Sequence, residues 1–95
     1  MYVGVLKLEM HLPQATNLRE KRKVVTRLQS HVRNHTKLTC AEVEHQDTYQ
    51  LCSLAIVAAG SDPNVVDRVL ENARKVIDEA NLAMVLDEET DIIEV

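Results

Sequence analysis

Hydrophobic and polar residues alternate from the start of the chain. Leu6, Leu8, Met10 and Leu12 fall on one side while Lys7, Glu9 and His11 fall on the other, which is the period of a half-buried strand. Pro13, with no N–H to give to a ladder, stops it. The period then changes to 3.6. Asn17-Leu18-Arg19-Glu20 has the form of a capping box, and a helix is predicted from about Leu18 to about Asn34. Its buried stripe is Leu18, Val24, Val25, Leu28 and Val32, with Arg19, Arg22, Lys23, Arg27 and Arg33 on the flanks and outer face.

β-forming residues return over 37–45 and 48–59, with Leu38, Thr39 and Val43 in the first run and Tyr49, Leu51, Leu54, Ile56 and Val57 in the second. Only Gln46 and Asp47 separate the runs, so a tight hairpin is the simplest connection. Asp62-Pro63 starts a second helix, Pro being pre-set for the first helical position. Its inner face is Val66, Val69, Leu70, Ala73, Val76, Ile77 and Ala80. The tail, residues 83–95, reads as a last strand that Asp87-Glu88-Glu89 either bulges or breaks.

The order is therefore β-α-β-β-α-β, a single ferredoxin-like α+β domain over residues 1–95 with a four-stranded antiparallel sheet and two helices on one face. The opposite sheet face is left open. In this topology the first and second strands run parallel, so the end of the first strand, the start of the first helix and the hairpin turn meet at one edge. His11, the segment from Arg19 to Lys23, and His45-Gln46-Asp47 are expected to be neighbours there.

Composition adds little to this picture, but the distribution of charge changes it. The 95 residues are 45% hydrophobic and 27% charged, ordinary globular material, with a net charge of −4 that argues against a nucleic-acid binder. That total conceals a split. Residues 19–37 hold seven basic side chains against one acid, a net of +6; the rest of the chain holds four bases and fourteen acids, a net of −10. The basic helix start already carries free N–H groups and the positive end of the macrodipole, so an anion such as phosphate is the natural partner of Arg19, Lys21, Arg22, Lys23 and Arg27. Lys21 stands apart, because the wheel places it inside the apolar stripe, where a cation must escape or be paired.

The remaining chemistry is sparse. His45 with Glu42, Glu44 and Asp47 is a concentrated polar turn, most simply one in which Asp47 supports the turn and His45 pairs with a carboxylate. No second His lies at metal-ligand spacing from it, and alternation keeps Cys40 off its face, so no metal site is expected. His31 and His35, an i, i+4 pair, belong to the helix surface, and Cys40 and Cys52 read as unpaired sheet residues. A glycine-rich phosphate cradle, a C-x-x-C and the common nucleotide-binding and hydrolase motifs are absent, so neither a cofactor nor an enzymatic activity is expected. The open sheet face, with Val3, Val5, Lys7, Tyr49, Leu51, Ser53, Ala55 and Val57, is apolar enough to seat a second copy through Val5, Tyr49, Leu51 and Val57. With only Tyr2 and Tyr49 as aromatics it is a poor base-stacking platform. Met1 to Lys7 lacks the pattern of a signal peptide, and the longest apolar run, Leu54 to Ala59, is too short to cross a bilayer; a cytoplasmic location without membrane partners is expected.

Three segments together resemble the YlxP-like family of small bacterial proteins, a domain of unknown function: Met1-Tyr2-Val3-Gly4-Val5-Leu6-Lys7-Leu8, Leu18-Arg19-Glu20-Lys21-Arg22-Lys23-Val24-Val25, and Ala41-Glu42-Val43-Glu44-His45-Gln46-Asp47 with Gln50. The resemblance implies a ferredoxin-like fold and a bacterial cytoplasmic setting. Family genes often lie beside those for translation and ribosome-maturation factors, ribosome-binding factor A among them, which implies RNA or a ribosomal subunit as partner. Where the family usually carries Trp or another large aromatic near the hairpin, this chain has Tyr49. The expectation is thus a non-enzymatic RNA- or ribosome-associated protein, with a homo-oligomeric interaction module as the alternative.

Overall fold

In a computed structural model of residues 1–95 the elements are β1 (Tyr2–His11), α1 (Leu18–Thr36), β2 (Thr39–Glu44), β3 (Leu51–Gly60), α2 (Pro63–Ala80) and β4 (Met84–Glu94). The sheet order is β2-β3-β1-β4, and every neighbouring pair is antiparallel. Both helices pack on one face, as the ferredoxin-like pattern requires. No helix is long and apolar enough to cross a membrane.

The periodicities translate directly into burial. On β1 the side chains of Leu6, Leu8 and Met10 face the helices, and Leu12 follows them into the core. Cys52, Leu54, Ile56 and Ala58 of β3 join them, and Val24, Val25, Leu28 and Val32 of α1 with Val66, Leu70, Ala73 and Ile77 of α2 close the layer. Leu18, expected in the stripe, is only half-buried; one turn on, Lys21 takes the interior position. Both helix starts match their sequence signals. Asn17 Oδ1 accepts from Glu20 N at 2.8 Å, and Asp62 Oδ1 accepts from Asn64 N at 2.9 Å with Pro63 opening the helix. At the other end α1 runs two residues beyond the expected Asn34, and Lys37, at φ 65°, closes it by donating its N–H to the Arg33 carbonyl.

Two expectations about the sheet are corrected, and one left open is decided. First, the connection between β2 and β3 is not a two-residue turn. Residues 45–50 form a loop in which His45 adopts φ 65° and Thr48 N donates back to His45 O at 3.0 Å. Tyr49 therefore lies in the loop and not on the sheet face. Lacking a Gly for a tight primed turn, the chain takes a longer route. Second, of the two alternatives left open for the acidic run of β4, the bulge is the one found and the strand is not broken. A bulge between the Glu9–Asp87 and Met10–Val85 pairs makes Leu86 the extra residue, and pairing continues to Glu94. Third, the open face is not simply apolar. The register places Asp91, Glu89 and Asp87 of β4 beside Val5, Lys7 and Glu9 of β1, so one side of that face is acidic.

Gly4 marks the tightest approach of helix to sheet. A Cβ there would lie 2.6 Å from Val66 Cγ1 and 2.8 Å from Leu70 Cδ1, both on α2. Gly4→Ala is expected to lower stability by about 1–3 kcal/mol through overpacking, read from the midpoint of urea denaturation. An unchanged midpoint would show that α2 moves away freely.

Candidate functional site

Of the residues expected at one edge, the structure joins Lys21 to His45, and Lys21 is the centre of the arrangement. The Lys21 side chain is 2% exposed, and its ammonium has three N–H groups to satisfy. Glu42 Oε2 of β2 lies 2.8 Å away as the ion-pair partner, while Thr48 O, at 2.7 Å, and His45 O accept hydrogen bonds from the ammonium. The first turn of α1 is thereby tied to β2 and to the 45–50 loop. This corrects the assignment of Lys21 to phosphate binding: its charge is met by Glu42 and its hydrogen bonds go to two loop carbonyls, all inside the protein.

A bulge decides where the neighbouring acids point. Glu42 pairs with Leu54 and Glu44 with Ser53, so Val43 is the extra residue. Strict alternation would send Glu42 and Glu44 to the same side. With the bulge, Glu42 turns to the helix side and meets Lys21, while Glu44 turns to the open face and meets Lys7 at 2.6 Å.

Beside Glu44, the imidazole of His45 reaches across to β1, its Nε2 2.9 Å from Glu9 Oε2. Ser53, fully buried although on the open-face side of β3, donates its Oγ–H to Glu9 Oε1. The Ser53 and His45 hydrogen bonds hold the Glu9 carboxyl below the ordinary carboxylate range, against a smaller opposing effect of burial. The expected pairing of His45 with a carboxylate is thus realised with Glu9. Sequence reasoning missed that partner because the two residues are 36 positions apart; the available signal was the alternation that puts Glu9 on the open side of the first strand. In this chain of contacts the carboxylate sits between Ser53 and His45. Both partners donate to it, so nothing withdraws the serine proton, and no nucleophile is activated. Cys52 is no substitute, since burial pushes its thiol up to about 12.

The remaining sequence candidates separate into different places. His11 ends β1, half-buried, on the open-face row with Leu51 and Met84. Gln46 and Asp47 are exposed in the loop. Arg19, Arg22, Lys23 and Arg27 line one shallow, open groove on the solvent side of α1. Lys23 touches Glu20 at 3.6 Å, and the three arginines have no acid within ion-pair distance. Val5 and Leu51 are half-buried on the open sheet face, and Val57 is exposed there.

Fold and site together define a small ferredoxin-like α+β sandwich whose basic helix is anchored to an acidic hairpin by one buried lysine. The chain belongs to the family described as "Protein of unknown function (DUF503)", whose model matches residues 3–90. It is 30% identical over 76 residues to "Uncharacterized protein YlxP" of Bacillus subtilis (strain 168), covering 80% of this chain and 83% of that protein. Among solved structures, "protein YJCS" is similar at a TM-score of 0.60 and 10% identity, covering 97% of this chain and 99% of that one. Protein Atu4242 from Agrobacterium tumefaciens is similar at 0.53 and 11%, covering 99% and 92%. SnoaB, a cofactor-independent oxygenase from Streptomyces nogalater, is similar at 0.50 and 12%, covering 99% and 92%. At such identities these structures share the fold alone.

Lys21→Met is expected to destabilise the protein by roughly 3 kcal/mol, because it leaves Glu42 and two loop carbonyls without their cation. Adding Glu42→Leu should recover a large part of that loss. The double-mutant cycle is measured by urea denaturation; additive single effects would show that the pair is uncoupled.

Proposed function

We propose that the protein is a non-enzymatic, cytoplasmic RNA-binding protein that grips phosphates through the solvent side of α1. One observation carries the reading: Arg19, Arg22, Lys23 and Arg27 share an exposed groove almost free of acids, in a chain whose remaining surface is acidic. Arg33 and Lys37 extend the positive charge along the same helix and its cap. Isolated surface cations are normally interleaved with acids, and a one-sign stripe raises the local potential toward a polyanion. The acids of β4 and the open sheet face repel nucleic acid from the opposite side and orient the encounter.

Binding of this kind is dominated by counterion release. The affinity for a single-stranded RNA should fall with salt, by about 0.7 logarithmic units per unit of log salt for each phosphate met. Arg22→Glu with Lys23→Glu should weaken binding and lower the slope by about 1.4, whereas Arg68→Glu on α2 should leave both nearly unchanged. Equal affinity and slope for wild type and the α1 double variant would refute the proposal.

A second reading uses the other face. Val5 and Val57 are directly paired across β1 and β3, with Thr39 completing the row, and Val57 is 46% exposed. Ile93, Val3 and Ala59 form the adjacent apolar row. A second copy of the chain laid on these rows would cover them. Sedimentation at micromolar concentration should then show a dimer that Val57→Glu dissociates; a wild-type monomer excludes this reading.

A further inference from the structure

We infer that Glu9, Glu44 and His45 form a binding site for a divalent transition-metal ion of the zinc type on the open face of the sheet. The inference is independent of RNA binding, which uses the opposite side of the molecule. Three ligand atoms, one from each residue, lie within 4.8 Å of one another. Two carboxylates and one imidazole make a mixed oxygen and nitrogen set, which suits Zn2+ better than the all-oxygen shells of Mg2+ and Ca2+ or the thiolate shells of Cu+. Three protein ligands leave a fourth position to water.

Two further features fit a cation site. Ser53, buried beneath the cluster, donates to Glu9 Oε1 and fixes the carboxylate with Oε2 toward His45, the role that second-layer hydrogen bonds play around metals. A cation is already there: the Lys7 ammonium sits 2.6 Å from Glu44 Oε1, and Lys7 is exposed enough to swing away. The third contact, between His45 Nε2 and Glu9 Oε2, pairs a ring N–H with a carboxylate oxygen and so needs a proton on Nε2. Metal binding would displace that proton, leaving Nε2 free to coordinate, and would displace Lys7 from Glu44.

The site was invisible to spacing rules for a structural reason. Glu44 and His45 are adjacent in sequence and would alternate faces in a regular strand. His45 has left the strand at φ 65°, so both reach the same face, where Glu9 meets them from β1. The other histidine pair does not compete in ligand number. His31 and His35 stack on α1 with ring centroids 4.1 Å apart, and no carboxylate or thiolate joins them as a third ligand.

The test is calorimetric titration of the chelator-treated protein with Zn2+, with Mg2+ as a parallel arm. One Zn2+ should bind per chain, and Mg2+ should not. Glu44→Gln, at an exposed side chain whose ion pair is with surface Lys7, should weaken Zn2+ binding at least about tenfold with the fold intact by circular dichroism. His45→Asn, which keeps a residue tolerant of positive φ, should do the same. Lys7→Ala should tighten binding, because it removes the competing ammonium. No binding by the wild type, affinity unchanged in Glu44→Gln and His45→Asn, or binding lost only in His31→Ala with His35→Ala or in Cys40→Ser would overturn the inference.

Discussion

One buried ammonium organises the functional end of this protein. Lys21 is placed by the helical period where an apolar residue belongs, and a cation taken out of water is costly unless each of its donors is met. The structure answers the charge with a carboxylate from β2 at ion-pair distance and with hydrogen bonds to two carbonyls of the following loop. The loop cannot relax without exposing that charge to an unpaired interior, so its shape is set by the helix beneath it. The position of His45 over β1 follows from this constraint, since its own carbonyl is one of the two that accept from Lys21.

The two bulges act at the same level. In β2 the extra residue Val43 divides Glu42 from Glu44, giving one acid to the core-side lysine and one to the open face. In β4 the extra residue Leu86 keeps the strand paired past its acidic run. Together they make a molecule of two electrostatic sides. The exposed side of α1 is basic, and the open face of the sheet carries Glu9, Glu44, Asp87, Glu89 and Asp91 against Lys7. The net charge of −4 is a poor description of either side. The proposed polyanion contact at α1 and the inferred cation site on the sheet both rest on that spatial separation.

Family membership and fold add no chemistry to this reading of the residues. The match over residues 3–90 spans β1 through most of β4, so the anchoring lysine, the 45–50 loop and the sheet-face cluster all lie within the shared region. The solved structures are similar in architecture at 10–12% identity, and one of them being an oxygenase says nothing of this chain's own side chains.

Period and punctuation were enough to determine the elements and their order. Alternation in β1, the 3.6 stripe of α1, and the caps at Asn17 and Asp62 are local signals, each written within a few residues, and they led to the ferredoxin-like arrangement and to the edge where helix and hairpin meet. What only the tertiary structure decided is the pairing of distant charges. Lys21 reads as a cation inside an apolar stripe with no partner named until Glu42 and the loop carbonyls close on it, and His45 reads as a turn residue until Glu9 arrives from β1. A bulge shifts register by one, and in a strand one residue is the difference between faces. That shift leaves no mark in composition or periodicity, so the site it builds becomes legible only once the strands are paired.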